Sequence, residues 1–253
     1  MEKKRGIDSF TLHILAMLFM LCDHLWATLF PAQEWMTCVG RLAFPIFAFM
    51  IAEGCYYTSN VKKYMLRLFL FAIISEIPFN LIMGSSVFYP FHQNVLWTFL
   101  LGVLSIQIIE KAKKKQKKWI SFFVVCLVLL MDFLLGTITM VDYNAAGILT
   151  VLLFYFFRKK TWISFAAQLV GLYYLNVVML GNLYYPVTIL GHHFEIAQQS
   201  FALLALIPIW LYHGEQGYHS KWFKYFCYAF YPVHLLILYL IVYKMGYGSV
   251  PAI

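Results

Sequence analysis

The chain has 253 residues, of which 62% are hydrophobic, 19% aromatic and 12% charged, and its formal net charge is +8. A soluble domain carries roughly 25% charged residues, so this chain cannot wet the surface of a soluble globule. A disordered chain needs the opposite composition. The composition therefore excludes a soluble enzyme and a disordered polymer, and it predicts an integral membrane protein.

Nine apolar stretches follow one another along the chain, and each predicts a helix. At about 20 apolar residues per span, most are long enough to cross a bilayer, while the sixth and eighth are short. They are Phe10–Phe30, Trp35–Tyr57, Tyr64–Met83, Val95–Glu110, Trp119–Gly136, Asn144–Phe157, Trp162–Leu180, Ser200–Tyr212 and Tyr225–Tyr243. The sequence thus predicts one all-α, polytopic domain over residues 1–253, a transmembrane bundle of about nine spans.

The basic residues predict how the spans are oriented. With a cytoplasmic N-terminus and nine spans, 17 of the 19 lysines and arginines fall on the inner side, while Lys244 is outside and Arg41 lies within a span. Basic residues collect in cytoplasmic loops, so we expect the N-terminus inside and the C-terminus outside. The same rule explains the positive charge without a nucleic-acid partner. The run Lys111–Lys118 fits a lipid-facing loop that sets topology, and it could also meet an anionic cofactor such as a nucleotide tail.

Neither a metal site nor a disulfide framework is predicted. The five cysteines lie in apolar runs without CxxC spacing, which is typical of small buried apolar side chains. His192 and His193 with Glu195 suggest a metal ligand set. Neighbouring residues on a loop are nevertheless a poor chelate without a third fixed ligand.

Ionisable groups within the spans are the main functional candidates, because each costs several kcal/mol in a bilayer unless it is paired or hydrated. The polar residues in or beside the spans are His13, Asp23, His24, Arg41, Glu53, Glu76, Asn94, Asp132, Asp142, Asn176 and His234. With the predicted topology most of them fall in the outer third. His13 and His24 come within about 20° of one helix face, which can line a polar path. We therefore expect a cavity whose chemical centre lies nearer the outer side.

Several of these residues also have purely structural interpretations. Arg41 with Glu76 or Asp23 can be a buried ion pair that holds helices in register. Asp132 is expected to snorkel to the outer interface and do nothing else. His234 can hydrogen-bond a helix that Pro232 has kinked.

The adjacent pair Asp23 and His24 is harder to assign to packing alone. A neutral histidine in a low-dielectric site can take a proton from an attacking amine or hydroxyl when a carboxylate orients it. Neighbouring helix residues project about 100° apart, so Asp23 does not reach the ring of His24, and Glu76 from another helix is the better partner. Such a site suits group transfer without a covalent intermediate, but the spacing does not say which group is transferred.

Four motifs together resemble the TraX family of membrane proteins over nearly the whole length. They are LAMLFMLCDHL in the first span, GRLAFPIFAFMIAEG from Gly40, YMLRLFLFAIISEIPFN from Tyr64 and FYPVHLLILYL near the C-terminus. Members occur on conjugative plasmids, where the F-type member is needed for N-terminal acetylation of pilin. The resemblance also implies a distant relation to membrane acyltransferases that carry acyl groups from cytoplasmic acyl-CoA to acceptors at the outer face.

The resemblance also suggests roles for individual residues. In those acyltransferases a first-span histidine is held to be essential, and His24 is the matching residue. The implied catalytic residues are His24, Asp23 and Glu76, and the implied substrate-binding residues are Arg41, Glu53, Asn94, Asp142 and His234. Two positions depart from the family pattern and put the acceptor in doubt: Asn144 stands where a glycine tends to follow Asp-Tyr, and Asn80 where an Asp often ends the third-span motif.

The expected function is that of an acetyltransferase in the bacterial cytoplasmic membrane. Acetyl-CoA is the expected donor, and the expected acceptor is a protein or envelope amine or hydroxyl at the outer face, with the lipid bilayer as a further partner and no metal. Two other classes fit the same composition. A small-solute transporter also needs intramembrane charges, although the absence of sequence repeats argues against it. A non-enzymatic assembly factor for a surface structure would not bind acetyl-CoA.

Overall fold

The computed structural model describes residues 6–115, 117–181, 183–189 and 192–246. Lys3, Lys4 and Arg5, which contribute to the predicted topology, lie outside the described residues. The α-helices are α1 Ser9–Thr28, α2 Glu34–Gly40, α3 Ala43–Tyr57, α4 Val61–Gly84, α5 Val95–Lys115, α6 Lys118–Ile138, α7 Asn144–Phe156, α8 Trp162–Leu172, α9 Leu206–Leu211 and α10 Lys221–Lys244.

Four helices begin at a polar residue whose side chain accepts a hydrogen bond from a backbone N–H of the first turn, which is the usual way to satisfy an otherwise unpaired donor. Asp8 caps α1 through the N–H of Thr11 at 2.8 Å. Asn60, Thr161 and Ser220 cap α4, α8 and α10. These four helices therefore start where the sequence offers a cap.

The predicted all-α class is confirmed, and the chain is a multi-pass membrane protein. Among the described residues, seven helical segments are long and apolar enough to cross a membrane, and Asn144–Phe156 and Gln198–Leu211 are shorter apolar helices. These two helices correspond to the sixth and eighth apolar stretches, which are the two short ones in the sequence. The predicted second span is not one continuous helix, because a turn at Arg41 and Leu42 separates α2 from α3.

The C-terminal half contains less regular structure than the sequence predicts. A π-helix, Tyr173–Met179, continues α8, and a 3₁₀-helix, Gln198–Ala205, precedes α9. The segment expected to be a loop forms an antiparallel hairpin of β1 Tyr184–Ile189 and β2 His192–Ala197. Adjacent residues of a strand project to opposite faces, so His192 and His193 do not converge on one ligand.

The chain divides into two compact units. Unit 1 combines the described parts of Met1–Phe47 and Lys160–Ile253, and unit 2 is Ala48–Lys159. The core of unit 1 includes Leu12 and Leu235, which are 0% and 1% exposed. The core of unit 2 includes Phe154, whose ring meets that of Phe49 edge to face at 5.6 Å. The eight predicted site residues are divided between these units.

Candidate active site

Asp23 and Arg41 form an ion pair in unit 1. Nη2 of Arg41 donates to both carboxylate oxygens of Asp23 at 2.5 Å, and the two side chains are 12% and 15% exposed. Thr37 also donates its hydroxyl to Oδ1 of Asp23 at 2.8 Å. Asp23 is one of the two partners that the sequence offered for Arg41.

Gly40 is what lets α2 come this close to Asp23. A Cβ at position 40 would lie 2.4 Å from Cβ of Asp23 and 2.6 Å from its Oδ1, closer than carbon atoms can pack. The glycine at the start of the GRLAFP motif is thus required for the close approach of helix backbone and carboxylate. The arginine that follows it then reaches the same carboxylate.

His24 contacts His234, which lies 210 residues further along the chain. Nδ1 of His24 is 2.6 Å from Nε2 of His234, and the two rings are nearly parallel, with an angle of 11° between them. Nδ1 of His234 is 2.6 Å from the carbonyl oxygen of Phe230. A carbonyl only accepts, so His234 donates from Nδ1 and its neutral ring accepts at Nε2. His24 therefore donates from Nδ1, and its lone pair is on Nε2.

Nδ1 of His24 is engaged by His234, and Asp23 is engaged elsewhere. The oxygens of Asp23 are taken by Arg41 and Thr37, as the 100° offset between neighbouring helix residues requires. A neutral histidine, itself held by a backbone carbonyl, occupies the orienting position instead. His234 thus bonds to a carbonyl of its own helix through Nδ1 and contacts His24 through Nε2.

The other histidine of α1 also faces α10. The ring of His13 lies 6.2 Å from that of Phe223, so His13 and His24 share the face that their eleven-residue spacing predicts. Nδ1 of His13 is 2.7 Å from the carbonyl oxygen of Ser9 in its own helix. His13 is thus held by local backbone, whereas His24 is held by another helix.

Three residues that the sequence does not single out, Thr37, Gln198 and Tyr185, extend the Asp23 cluster toward the hairpin. Gln198, which is 5% exposed, donates from Nε2 to the hydroxyl of Tyr185 at 3.0 Å and to that of Thr37 at 3.4 Å. Thr37 could have been found, because it precedes Arg41 by one helical turn. No sequence signal marks Gln198 or Tyr185, since neither belongs to an apolar period.

Glu76 belongs to unit 2, where neutral donors hold it. Asn94 donates from Nδ2 to Oε2 of Glu76, and the indole N–H of Trp97 donates to the same oxygen at 2.9 Å. Asn94 is fully buried and also donates to the carbonyl of Ala72 at 2.9 Å. Oε1 of Glu76 is buried and has no hydrogen-bond partner among the described residues. The expected tuning of His24 by Glu76 stays a prediction.

Asp142 lies at the same end of unit 2, in the turn before α7. Its Oδ1 is 3.4 Å from Nε2 of His92 and accepts from the N–H of Tyr143 at 3.0 Å. Asn144, which stands at the family's glycine position, has a φ of 47°. Asparagine tolerates this left-handed region better than other side chains. The departure from glycine therefore preserves the turn that places Asp142.

Asp132 is buried, and the expectation that it snorkels to the interface was wrong. It is 4% exposed, and its Oδ1 accepts from the hydroxyl of Ser105 at 2.7 Å. Ser105 and Asp132 lie on α5 and α6, so the bond joins two neighbouring helices. A partner inside the unit removes the reason for the side chain to reach toward water.

Glu53 lies at the other end of unit 2 and accepts from Nε and Nη2 of Arg158. The predicted residues are thus distributed over three places. Asp23, His24, Arg41 and His234 form one cluster in unit 1. In unit 2, Glu76, Asn94 and Asp142 lie at one end and Glu53 at the other.

The model of the TraX protein family matches residues 9–242. The chain belongs to the TraX family. One relative is the probable fimbrial assembly protein FimC, serogroup H1, of Dichelobacter nodosus, which is 25% identical over 250 residues that cover 94% of this chain and 97% of that protein. No solved structure matches the chain.

Membership in the TraX family confirms the resemblance that the four motifs carry. The matched range contains all eight predicted site residues, the whole of unit 2 and most of unit 1. The motifs around His24 and His234 come from opposite ends of the family range, and the structure brings these two histidines into contact.

Proposed function

We propose that this TraX family protein is a membrane-embedded acetyltransferase in the bacterial cytoplasmic membrane, with its N-terminus in the cytoplasm and its C-terminus outside. It transfers acetyl from cytoplasmic acetyl-CoA to an amine or hydroxyl near the outer face. The observation that carries the proposal is the relay from the Phe230 carbonyl through His234 to His24, which leaves a lone pair on Nε2 of His24. The ring of His24 is half-buried. Its hydrogen-bond contact is through Nδ1, and no described residue bonds to Nε2.

His24 acts as the general base in this mechanism. Nε2 accepts the proton of the acceptor amine or hydroxyl while the nucleophile attacks the thioester carbonyl. His234 stabilises the imidazolium, because its Nε2 accepts from Nδ1 of His24 throughout. When the tetrahedral intermediate collapses and the C–S bond breaks, the proton passes from Nε2 to the leaving thiolate. The histidine returns to its starting form, so no covalent enzyme intermediate is needed.

Arg41 and Asp23 contribute a fixed dipole beside the base. Because Nη2 of Arg41 is shared between both oxygens of Asp23, the pair is nearly neutral, and the arginine holds its position before substrate arrives. In such a preorganised site a guanidinium stabilises the oxyanion of the tetrahedral intermediate. Arg41 has this role in unit 1.

The acceptor we propose is the N-terminal amine of a pilin or an envelope amine or hydroxyl. The relative from Dichelobacter nodosus carries the name of a probable fimbrial assembly protein, which supports a role in building a surface fibre. The same name favours a second candidate function, a non-enzymatic assembly factor. The two candidates differ in whether acetyl-CoA is consumed.

The test uses the full chain in nanodiscs with radiolabelled acetyl-CoA and a peptide or glycan acceptor. General-base catalysis contributes about 10²–10⁴-fold to rate, so His24→Ala should lower label transfer by that factor. His13→Gln is the matched control, because that histidine lies on the same helix face and is bonded to its own backbone. Equal transfer by wild type and His24→Ala would reject His24 as the base. Failure of the wild type to consume acetyl-CoA while it still supports fibre assembly would favour the assembly factor.

A further inference from the structure

Unit 2 is electrostatically polarised along its helices. Its basic residues all lie at the end where α4 and α6 begin and α3, α5 and α7 finish. They are Lys62, Lys63, Arg67, Lys111, Lys113, Lys114, Lys115, Lys117, Lys118, Arg158 and Lys159. The two carboxylates at this end, Glu53 and Glu110, are engaged by Arg158 and Tyr155. We call this region the basic end; with the proposed topology it faces the cytoplasm.

Three cations of the basic end lie over aromatic rings, and two of them, Arg158 and Lys113, lie beside the end of α7. The guanidinium carbon of Arg158 lies 3.5 Å from the ring centroid of Tyr56 and 5.2 Å from that of Tyr57. Nζ of Lys113 lies 4.8 Å from the ring centroid of Tyr155 and 3.1 Å from its hydroxyl. Arg158 follows Tyr155 by three positions at the end of α7. The two cations are therefore fixed by neighbouring residues, whereas a surface lysine ordinarily moves freely.

Donors remain available at both cations. Glu53 engages Nε and Nη2 of Arg158, and no described residue bonds to Nη1. Burial alone would lower the pKa of Arg158, but the hydrogen bond and charge of Glu53 outweigh it and raise that pKa, so the guanidinium stays charged. The side chain of Lys113 is exposed. Tyr56 and Tyr57 are 65% and 59% exposed, and their rings meet edge to face at 5.2 Å.

The combination of two fixed cations and exposed flat rings fits one class of ligand better than a simple phosphate. Phosphate oxygens match a guanidinium and an ammonium, and a purine base stacks on aromatic side chains. A lipid headgroup supplies the phosphate but has no base to stack. The shared chemistry is a phosphate monoester or diester, and the tyrosines favour a nucleotide as its source.

We propose that the basic end of unit 2 binds the nucleotide portion of the acyl-CoA donor, with Arg158 and Lys113 on the phosphates and Tyr57 against the base. This site deepens the proposed function, on which it rests, because it assigns donor recognition to residues outside the histidine relay. It also gives Glu53, one of the predicted binding residues, the role of positioning Arg158.

The experiment measures binding of coenzyme A to the full chain in phosphatidylcholine nanodiscs by calorimetry. Loss of one charge-assisted hydrogen bond to phosphate weakens binding about tenfold, so we expect Lys113→Ala and Arg158→Gln each to raise the Kd by that factor. Lys117→Ala is the matched control, because it removes the same charge from the same region. It should change the Kd by less than about twofold, since an exposed charge in water contributes little. Tyr57→Ala should weaken coenzyme A but leave inorganic pyrophosphate unaffected.

A second arm separates the nucleotide from lipid as the source of phosphate. In phosphatidylglycerol nanodiscs, coenzyme A should still bind and should depend on Lys113 and Arg158 as before. If these two substitutions instead abolish retention of phosphatidylglycerol and leave coenzyme A binding unchanged, the site belongs to lipid and the proposal is wrong. Equal losses in Lys113→Ala and Lys117→Ala would also overturn it, since a diffuse field would then suffice.

Arg158→Gln leaves Glu53 without its cation and can prevent folding. The double variant Glu53→Gln/Arg158→Gln removes both charges, and Lys113→Ala alters only an exposed side chain. Either variant therefore tests the site if Arg158→Gln does not fold. Different results would refute the proposed acetyltransferase activity and the proposed coenzyme A site. Coenzyme A binding that depends on Lys113, without acetyl transfer, supports the site and refutes the enzyme. Acetyl transfer that depends on His24 but not on Lys113 or Arg158 refutes the site alone.

Discussion

The two units stabilise their intramembrane polar groups in different ways. In unit 1 each ionisable side chain of the cluster meets another: Asp23 is bonded to Arg41, and His24 to His234. In unit 2 the carboxyls of Glu76 and Asp132 meet neutral donors, and each keeps one buried oxygen with no partner among the described residues.

This difference separates the chemistry that each unit can perform. Within the unit 1 cluster, charges are paired and one histidine nitrogen keeps its lone pair, which is what a general base requires. In unit 2, no described lysine or arginine bonds to Glu76 or Asp132, so these carboxyls are stabilised by dipoles alone. A neutral donor does not compensate an anion in a low dielectric. We therefore expect the Asp23–Arg41 pair of unit 1 to be sensitive to loss of one charge, and Glu76 and Asp132 of unit 2 to tolerate replacement by a neutral amide.

The largest expected effect is in unit 1. Arg41→Leu leaves the carboxylate of Asp23 buried without its cation, which costs about 3–5 kcal/mol. Asp23→Asn combined with Arg41→Leu should recover most of this free energy of unfolding, because no isolated charge remains. Unfolding of the reconstituted protein in sodium dodecyl sulfate gives all three values. Equal losses in Arg41→Leu and in the double variant would show that the loss does not come from an uncompensated Asp23 carboxylate, and the comparison between units would not hold.

A smaller effect is expected for the matching change in unit 2. Asp132→Asn keeps an oxygen that can accept from Ser105, and side-chain hydrogen bonds between membrane helices contribute only about 0.6 kcal/mol on average. The unfolding free energy should therefore change by less than about 1 kcal/mol. Ser105→Ala serves as the control for the hydrogen bond itself. A loss as large as that of Arg41→Leu would mean that Asp132 carries a charge with a compensating partner.

The smallest effect concerns pH and the ion pair of His92 and Asp142. Burial alone would lower the pKa of His92, but the hydrogen bond and charge of Asp142, with the charge of Glu76, outweigh it and raise the pKa above 6.5. The stabilisation is thus fully present below pH 6.5 and is lost as the pH rises through the raised pKa. Thermal unfolding between pH 5 and 9 should show this decline in wild type. His92→Gln should flatten it, and an unchanged profile would exclude His92 as its source.

The apolar runs, the basic loops and the polar exceptions could all be read from the sequence. The existence of the spans followed from the long apolar runs in the sequence. The hairpin of β1 and β2 could not be predicted from the sequence, since its alternation of apolar and polar residues is weak. The buried position of Asp132 could not be predicted either, because the sequence of one helix does not show which neighbouring helix offers a hydroxyl.

The candidate site shows the same limit more sharply. Sequence chemistry selected His24, Asp23, Arg41 and His234 as residues too costly to keep in a membrane without a purpose. Which of them pair was decided by tertiary structure, because α1 and α10 are far apart in the chain and only their packing brings His24 to His234.

The scarcity of charge, visible from composition alone, determined that this chain is a membrane protein. The sequence also determined that its few intramembrane charges are candidates for chemistry, because a bilayer penalises each of them. The tertiary structure decided how those charges are compensated. Close helix approach at Gly40 places Arg41 on Asp23 and leaves His24 to a neutral partner, and this pairing determines which nitrogen can act as a base.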